Sequence, residues 1–155
     1  MPTHQEERLL PYTSRQLFDL VADVEKYPLF LPWCISCNIT KKTINFIEAD
    51  MTVGFKMIKE KFKTRVFLNS DNLTIDIEYL QGPFEYLQNQ WRFKDYANNC
   101  CQLIFSIHYK FKSAFLQGLS AVFFTESLRK LTKAFENRAH QLYKTNPLKI
   151  DHGRR

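Results

Sequence analysis

The chain has 155 residues, enough for one domain with a full hydrophobic core, and its 14 phenylalanines are unusually many. Its formal net charge of +6 favours anionic partners such as RNA, the ribosome or an acidic membrane surface. Charged residues interrupt the N-terminal segment and every long apolar stretch, which argues against a signal peptide and a membrane span. We therefore expect a cytoplasmic protein, or one peripheral at the inner membrane.

The N-terminal segment predicts one strand and one short helix. Residues from His4 to Leu10 suit a short strand. Thr13 is a helix N-cap, with Gln16 as its capping-box partner. One apolar helix face then follows with three- and four-residue spacing, at Leu17, Leu20, Val21 and Val24.

An aromatic segment bounded by prolines comes next, from Asp23 to Cys34. Pro28 and Pro32 each lack an N–H and fix φ, so the segment cannot be one continuous helix or a central strand. An apolar segment of this kind is costly to leave in water. We expect it to form the rim of a hydrophobic pocket, with Trp33 turned toward the opening.

From about Ile35 to Phe111 the apolar residues alternate with polar ones, which predicts half-buried strands. Turn residues separate the strands, at 69–72, at Gly82-Pro83 and at Asn98-Asn99. Successive strands without intervening helices indicate an antiparallel meander. In the five clearest strands, the first inward-facing residues are Ile47, Phe62, Ile75, Leu87 and Leu103.

The helical period returns after Ser113 and predicts a long helix over 119–142. Its apolar stripe must be buried, and the concave side of the sheet is the surface available to it. A curved sheet and a straight helix leave a gap between them, and we expect an apolar cavity there. The stripe comprises Leu119, Phe123, Phe124, Leu128, Leu131, Ala134, Phe135, Ala139 and Leu142.

Motifs for other chemistry are weak in this chain. Cys34 and Cys37 form a C-x-x-C pair, but strand-like sequence follows it, whereas a redox pair needs a helix N-terminus. Adjacent Cys100 and Cys101 point to opposite faces of a strand, which disfavours a zinc site, and we expect no metal. The four glycines form no phosphate loop. Glu60 and Arg65 suggest a surface ion pair.

A basic cluster marks one predicted hairpin, and a second group of basic residues follows the last helix. Either could contact ribosomal RNA or anionic lipid, or simply be solvated. We expect residues 146–155 to be a basic C-terminal tail and see no signal for DNA binding. The hairpin cluster comprises Lys56, Lys59, Lys61 and Lys63.

The segment from Asp23 to Cys34 resembles the D-V-x-x-Y-P-x-F-L-P-W-C signature of the coenzyme Q-binding START-domain proteins and their bacterial relatives, the ribosome association toxins. The likeness covers nearly the whole chain in order and spacing. It continues through 52–56, 60–62 with Arg65-Val66, 82–84 with Leu87, 91–93 and 111–113, and ends with Phe135, Arg138 and Tyr143.

The resemblance implies an α+β helix-grip fold, START-like and Bet v 1-like, with a single lipid-binding domain over 1–145. One branch of the family binds ubiquinone and supports respiration. The other binds the large ribosomal subunit and blocks subunit association. We expect a non-enzymatic protein that holds ubiquinone or a similar isoprenoid lipid, with ribosome association as the alternative. A cyclase-type enzyme is a third alternative, which the apolar inward positions disfavour, Asn89 being the main polar exception.

The predicted ligand-binding residues face one cavity. They are Trp33, Phe55, Phe62, Phe84, Trp91, Phe93, Phe105, Phe124, Leu128 and Leu131.

Overall fold

The computed structural model describes residues 3–55, 58–112 and 114–143, except for the side chains of 55, 58 and 114–121. Lys56 and the predicted tail at 146–155 lie outside the described residues. Within the described part, one strand and two short helices precede six consecutive strands, and one long helix follows them. In chain order they are β1 (Thr3–Leu10), α1 (Ser14–Ala22), a 3₁₀-helix (Val24–Leu29), β2 (Cys34–Lys42), β3 (Phe46–Phe55), β4 (Ile58–Asn69), β5 (Thr74–Gln81), β6 (Phe84–Tyr96), β7 (Cys100–Phe111) and α2 (Ala114–Tyr143).

The described strands form one antiparallel sheet in the order β1-β7-β6-β5-β4-β3-β2. Strands β2 to β7 are a meander, and β1 adds to its far edge beside β7. Every second side chain faces the concave side, where the core lies, because side chains alternate across a strand. The predicted α+β helix-grip fold is therefore confirmed.

Local turn and capping chemistry agrees with the sequence. The Thr13 hydroxyl accepts the Gln16 amide N–H, and the Gln16 side chain accepts the Thr13 N–H, which completes the capping box. Asn98 and Asn99 both have positive φ, at 64° and 60°, a conformation that asparagine tolerates in tight turns. Gly82 has φ of 148°, and a Cβ there would lie 2.5 Å from the Cβ of Phe62. Only glycine fits that turn.

The proline-bounded segment is not one continuous helix, as predicted, because its 3₁₀-helix Val24–Leu29 ends soon after Pro28. Two other predictions about the helices need correction. Helix α2 starts at Ala114, earlier than the predicted 119, and continues through Gly118, which costs a helix only about 1 kcal/mol relative to alanine. Leu142, predicted to be buried, is 46% exposed, whereas the next residue, Tyr143, packs against the core.

Helix α2 is joined to the edge strand β1 by polar side chains. The Arg8 guanidinium donates to the Thr132 hydroxyl at 2.9 Å and to the Glu136 carboxylate at 3.0 Å. The Thr132 hydroxyl in turn donates to Glu6 at 2.6 Å. Tyr143 donates to the Gln16 carbonyl at 3.1 Å, which ties the helix end to α1. These contacts hold the C-terminal half of α2 over the sheet.

Candidate functional site

A cavity of about 140 Å³ lies between the concave face of the sheet and α2. The proline-bounded segment supplies one wall through Tyr27, Leu31 and Trp33, as the sequence predicts for a pocket rim. No charged side chain lines the cavity among the described residues. The space can therefore hold an apolar molecule but offers no ion pair.

Aromatic rings close one end of the cavity. Trp91 meets Phe105 with ring centroids 4.7 Å apart and meets Phe135 with centroids 5.2 Å apart. Phe135 also contacts Tyr27 and Phe30 edge to face. These rings join the sheet, α2 and the proline-bounded segment.

A second, smaller cavity of about 20 Å³ lies beyond Phe62 and Phe124. Both cavities share four lining residues, which separate the two spaces: Val53, Phe62, Phe123 and Phe124. Phe84 lies behind them and contacts Phe62 at 5.9 Å and Phe124 at 5.2 Å between ring centroids.

The predicted ligand-binding residues fall into three groups. Phe84 lines the smaller cavity instead of the larger one, and Phe93 packs against Phe18 of α1 and lines neither, because β6 extends past the cavity. The side chain of Phe55 lies outside the described residues. The others line the larger cavity, and they are Trp33, Phe62, Trp91, Phe105, Phe124, Leu128 and Leu131.

The structure adds lining residues that sequence reasoning did not select. Ala49 and Met51 of β3 belong to the inward set of a predicted strand, so the alternation was sufficient to find them. Ser127 of α2 also lines the cavity, and its hydroxyl donates to the Phe123 carbonyl at 3.0 Å. A serine is not part of the apolar stripe, so the helical pattern did not select it.

The C-x-x-C cysteines are buried thiols. Burial raises the pKa of Cys34 to about 11 and, with the nearby Cys34 and acidic groups adding to it, that of Cys37 to about 12. Both stay protonated near neutral pH, whereas a redox cysteine needs a thiolate. Burial also raises the pKa of Tyr27 well above its usual value, and its hydroxyl donates to the Val21 carbonyl. Neither group is poised for acid–base chemistry.

The convex face of the sheet carries cross-strand ion pairs. Arg65 pairs with Glu48 at 2.8 Å and Glu78 at 3.3 Å, so the predicted pair with Glu60 is wrong. Glu60 lies one residue before Lys61 and lines the smaller cavity, away from Arg65. Lys63 pairs with Asp50 at 2.8 Å. Of the predicted basic cluster, Lys59 and Lys61 are the exposed members that the structure describes.

The described residues contain no group of His, Cys, Asp and Glu side chains that could ligate a metal ion. Among the described helices, none is both long and apolar enough to cross a membrane.

A curved antiparallel sheet that grips a long helix across an apolar cavity defines a helix-grip protein of the START and Bet v 1 type. The chain belongs to the polyketide cyclase/dehydrase and lipid transport family, whose model matches residues 10–136.

The relatives of this chain include ribosome association toxins and coenzyme Q-binding proteins. It is 35% identical over 147 residues to the ribosome association toxin RatA of Rickettsia prowazekii, covering 93% of this chain and 100% of that one. It is 34% identical over 149 residues to the mitochondrial coenzyme Q-binding protein COQ10 of Dictyostelium discoideum, covering 91% and 70%. The solution structure of an 18 kDa protein from Caulobacter crescentus matches with a TM-score of 0.75 and 38% identity, covering 93% and 99%.

Proposed function

We propose that the protein binds an isoprenoid quinone, ubiquinone or a close analogue, in the larger cavity and does not convert it chemically. The observation that carries the proposal is the apolar cavity, whose described lining residues include no charged side chain. A catalysed proton transfer needs a titratable group poised at the reacting atom. The titratable groups in this wall, Cys37 and Tyr27, have raised pKa values and stay neutral.

The size of the cavity favours one ring. An apolar cavity of ~150 Å³ in another protein binds benzene, and this one measures about 140 Å³. The ring of a quinone would fill this space, and the isoprenoid tail would extend along apolar side chains such as Phe124. A coenzyme Q-binding protein among the relatives supports this choice of ring. The role would be storage or delivery of quinone for respiration or quinone biosynthesis, by a cytoplasmic protein that contacts the inner membrane.

A titration of the purified chain with a short-tail ubiquinone tests the proposal. Trp33 and Trp91 both line the cavity, so binding should quench their fluorescence. Ile77→Phe places an extra ring in the cavity and should weaken binding at least tenfold. Glu78→Phe places the same ring on the opposite, exposed face of β5 and should leave binding unchanged. Equal affinities for the two variants would exclude the cavity as the binding site.

Ribosome association is a second candidate function, favoured by the exposed lysines of the β3–β4 hairpin and by the relative named for that activity. Phosphate attraction needs unpaired cations, and Lys59 and Lys61 have no ion-pair partner among the described residues.

Sedimentation at low salt tests this candidate. If it is correct, the protein sediments with the large ribosomal subunit, and Lys59→Glu combined with Lys61→Glu abolishes this. Lys94→Glu changes an exposed lysine on β6, outside that hairpin, and should have little effect. A wild-type protein that stays at the top of the gradient would exclude the candidate.

A further inference from the structure

One polar side chain interrupts an aliphatic row on the concave face. Asn89 of β6 lies opposite Ile107 of β7 and Ile77 of β5, and Ile77 in turn lies opposite Val66 of β4. Asn89 is only 8% exposed and lines the larger cavity. An aliphatic residue would continue the row, so the amide is an exception within its own layer.

The orientation of this amide is fixed by a hydrogen bond. The Asn89 side-chain NH₂ donates to the Ser106 carbonyl at 2.8 Å, and only the nitrogen end of an amide can do so. The amide oxygen Oδ1 and the second N–H therefore remain. Neither has a partner among the residues that the structure describes. Both groups are therefore available for hydrogen bonds with a ligand in the cavity that Asn89 lines.

A second uncharged polar group lines the same cavity. Thr64 lies two residues before Val66 on β4, so both side chains face the cavity, and Thr64 is 8% exposed. The described residues provide no hydrogen-bond partner for its hydroxyl, which can both donate and accept. Asn89 and Thr64 thus offer donors and acceptors but no charge.

These groups select the chemistry of the ligand. A carboxylate or phosphate would lose its water in this cavity and meet no cation among the described lining residues, which is unfavourable. Carbonyl or ether oxygens of a neutral ring would accept from the free N–H, and a ring hydroxyl would also donate to Oδ1. The other edges of the ring would stay in apolar contact.

We infer that Asn89 is the head-group recognition residue of the cavity and that its amide hydrogen-bonds the ring oxygens of a neutral quinone or quinol. Thr64 assists from the neighbouring layer. The ring then lies near Ile77 and Ile107, and the tail runs toward Phe62 and Phe124, where the smaller cavity continues the path. This inference rests on the proposed function and adds to it the residue that recognises the ring and the direction of the tail.

Calorimetric titration of the full chain with two matched probes tests the inference. Decylubiquinone carries ring oxygens, whereas decylbenzene carries a ring and a tail of the same length without oxygens. Asn89→Leu should weaken binding of decylubiquinone about tenfold, the effect of losing one or two hydrogen bonds, and leave decylbenzene unaffected or tighter. Thr64→Val, which keeps the shape, should give a smaller loss for decylubiquinone alone.

Gln90→Leu is the matched control, because Gln90 is the next residue of β6 and faces outward, fully away from the cavity. It should change neither affinity. Equal decylubiquinone affinity for wild type and Asn89→Leu would overturn the inference and leave the proposed function standing. A wild-type chain that binds neither probe would overturn both. A thermal unfolding curve for each variant confirms that it is folded.

Discussion

Trp91 on β6 and Phe135 on α2 meet edge to face, with ring centroids 5.2 Å apart and an angle of 70° between the ring planes. This contact joins the centre of the sheet to the helix that covers it. Phe135 is 2% exposed and also contacts Tyr27 and Phe30, so three parts of the fold meet at one side chain.

Phe135→Ala should therefore destabilise the protein by about 3–5 kcal/mol, because it removes a buried ring and leaves a cavity. Urea unfolding followed by circular dichroism measures the change. Leu142 lies on the same helix, and its side chain is 46% exposed. Leu142→Ala should therefore change the free energy of unfolding by less than about 0.5 kcal/mol. Similar losses for both variants would contradict the packing described for α2.

The polar contacts between β1 and α2 predict a pH dependence of stability. Burial by itself raises the pKa of Glu6, but hydrogen bonds from Thr132 and His4 and the charges of His4 and Arg8 outweigh it, and the pKa lies below 4.5. A carboxyl whose pKa is lowered by folding stabilises the protein above its unfolded pKa. That stability is lost as the pH falls below about 4.5 and through the folded pKa.

Glu6→Gln should be less stable than wild type at pH 7 by about 1 kcal/mol and should lose less stability on acidification. Unfolding free energies measured between pH 7 and pH 3 provide the comparison. Glu7→Gln, on the outward face of the same strand, serves as the control and should follow the wild-type curve. If the unfolding free energy of Glu6→Gln also followed the wild-type pH curve, the contacts of Glu6 would not contribute to stability.

The buried thiols predict a labelling order. Iodoacetamide reacts with thiolates, and the pKa values of about 11 for Cys34 and about 12 for Cys37 leave almost none at pH 8. Cys100 is partly exposed and should be alkylated first, as peptide mass spectrometry of the folded protein would report. Rapid labelling of Cys34, or a disulfide between Cys34 and Cys37, would contradict the structural role assigned to this pair.

The three phenylalanines that line both cavities predict a change in tail selectivity. Phe62→Ala removes one of the rings that separate the spaces of about 140 Å³ and about 20 Å³. The variant should bind long-tail quinones more tightly relative to short-tail ones, measured by competition between the two. Phe67→Ala lies on the opposite face of β4 and serves as the control, with an unchanged preference. A wild-type preference in Phe62→Ala would place the tail elsewhere.

Local patterns predicted most of the fold because the alternation of apolar and polar residues identifies the buried face of each strand. The inward position of Asn89 follows from its spacing from Leu87 and Trp91, and the cap at Thr13 follows from its neighbours alone. The partners of Arg65 could not be predicted in this way. They lie on β3 and β5, and the sheet register that brings them together is a property of the whole fold.

The contact between Arg8 and α2 illustrates the same limit for the site. It depends on β1 pairing with β7 and on where α2 crosses that edge. Phe93 failed as a ligand-binding prediction for a related reason, because alternation identifies the concave face but not how far the cavity extends along it. α1 covers that end of β6 and contacts Phe93 through Phe18.

The identity of the molecule that co-purifies tests the central claim most directly. Organic extraction of the purified full-length protein, followed by mass spectrometry, should release an isoprenoid quinone in an amount close to that of the protein. Ile77→Phe, purified in parallel, should carry much less. Absence of quinone from the wild-type extract, together with no binding when ubiquinone is titrated into the protein, would contradict the account.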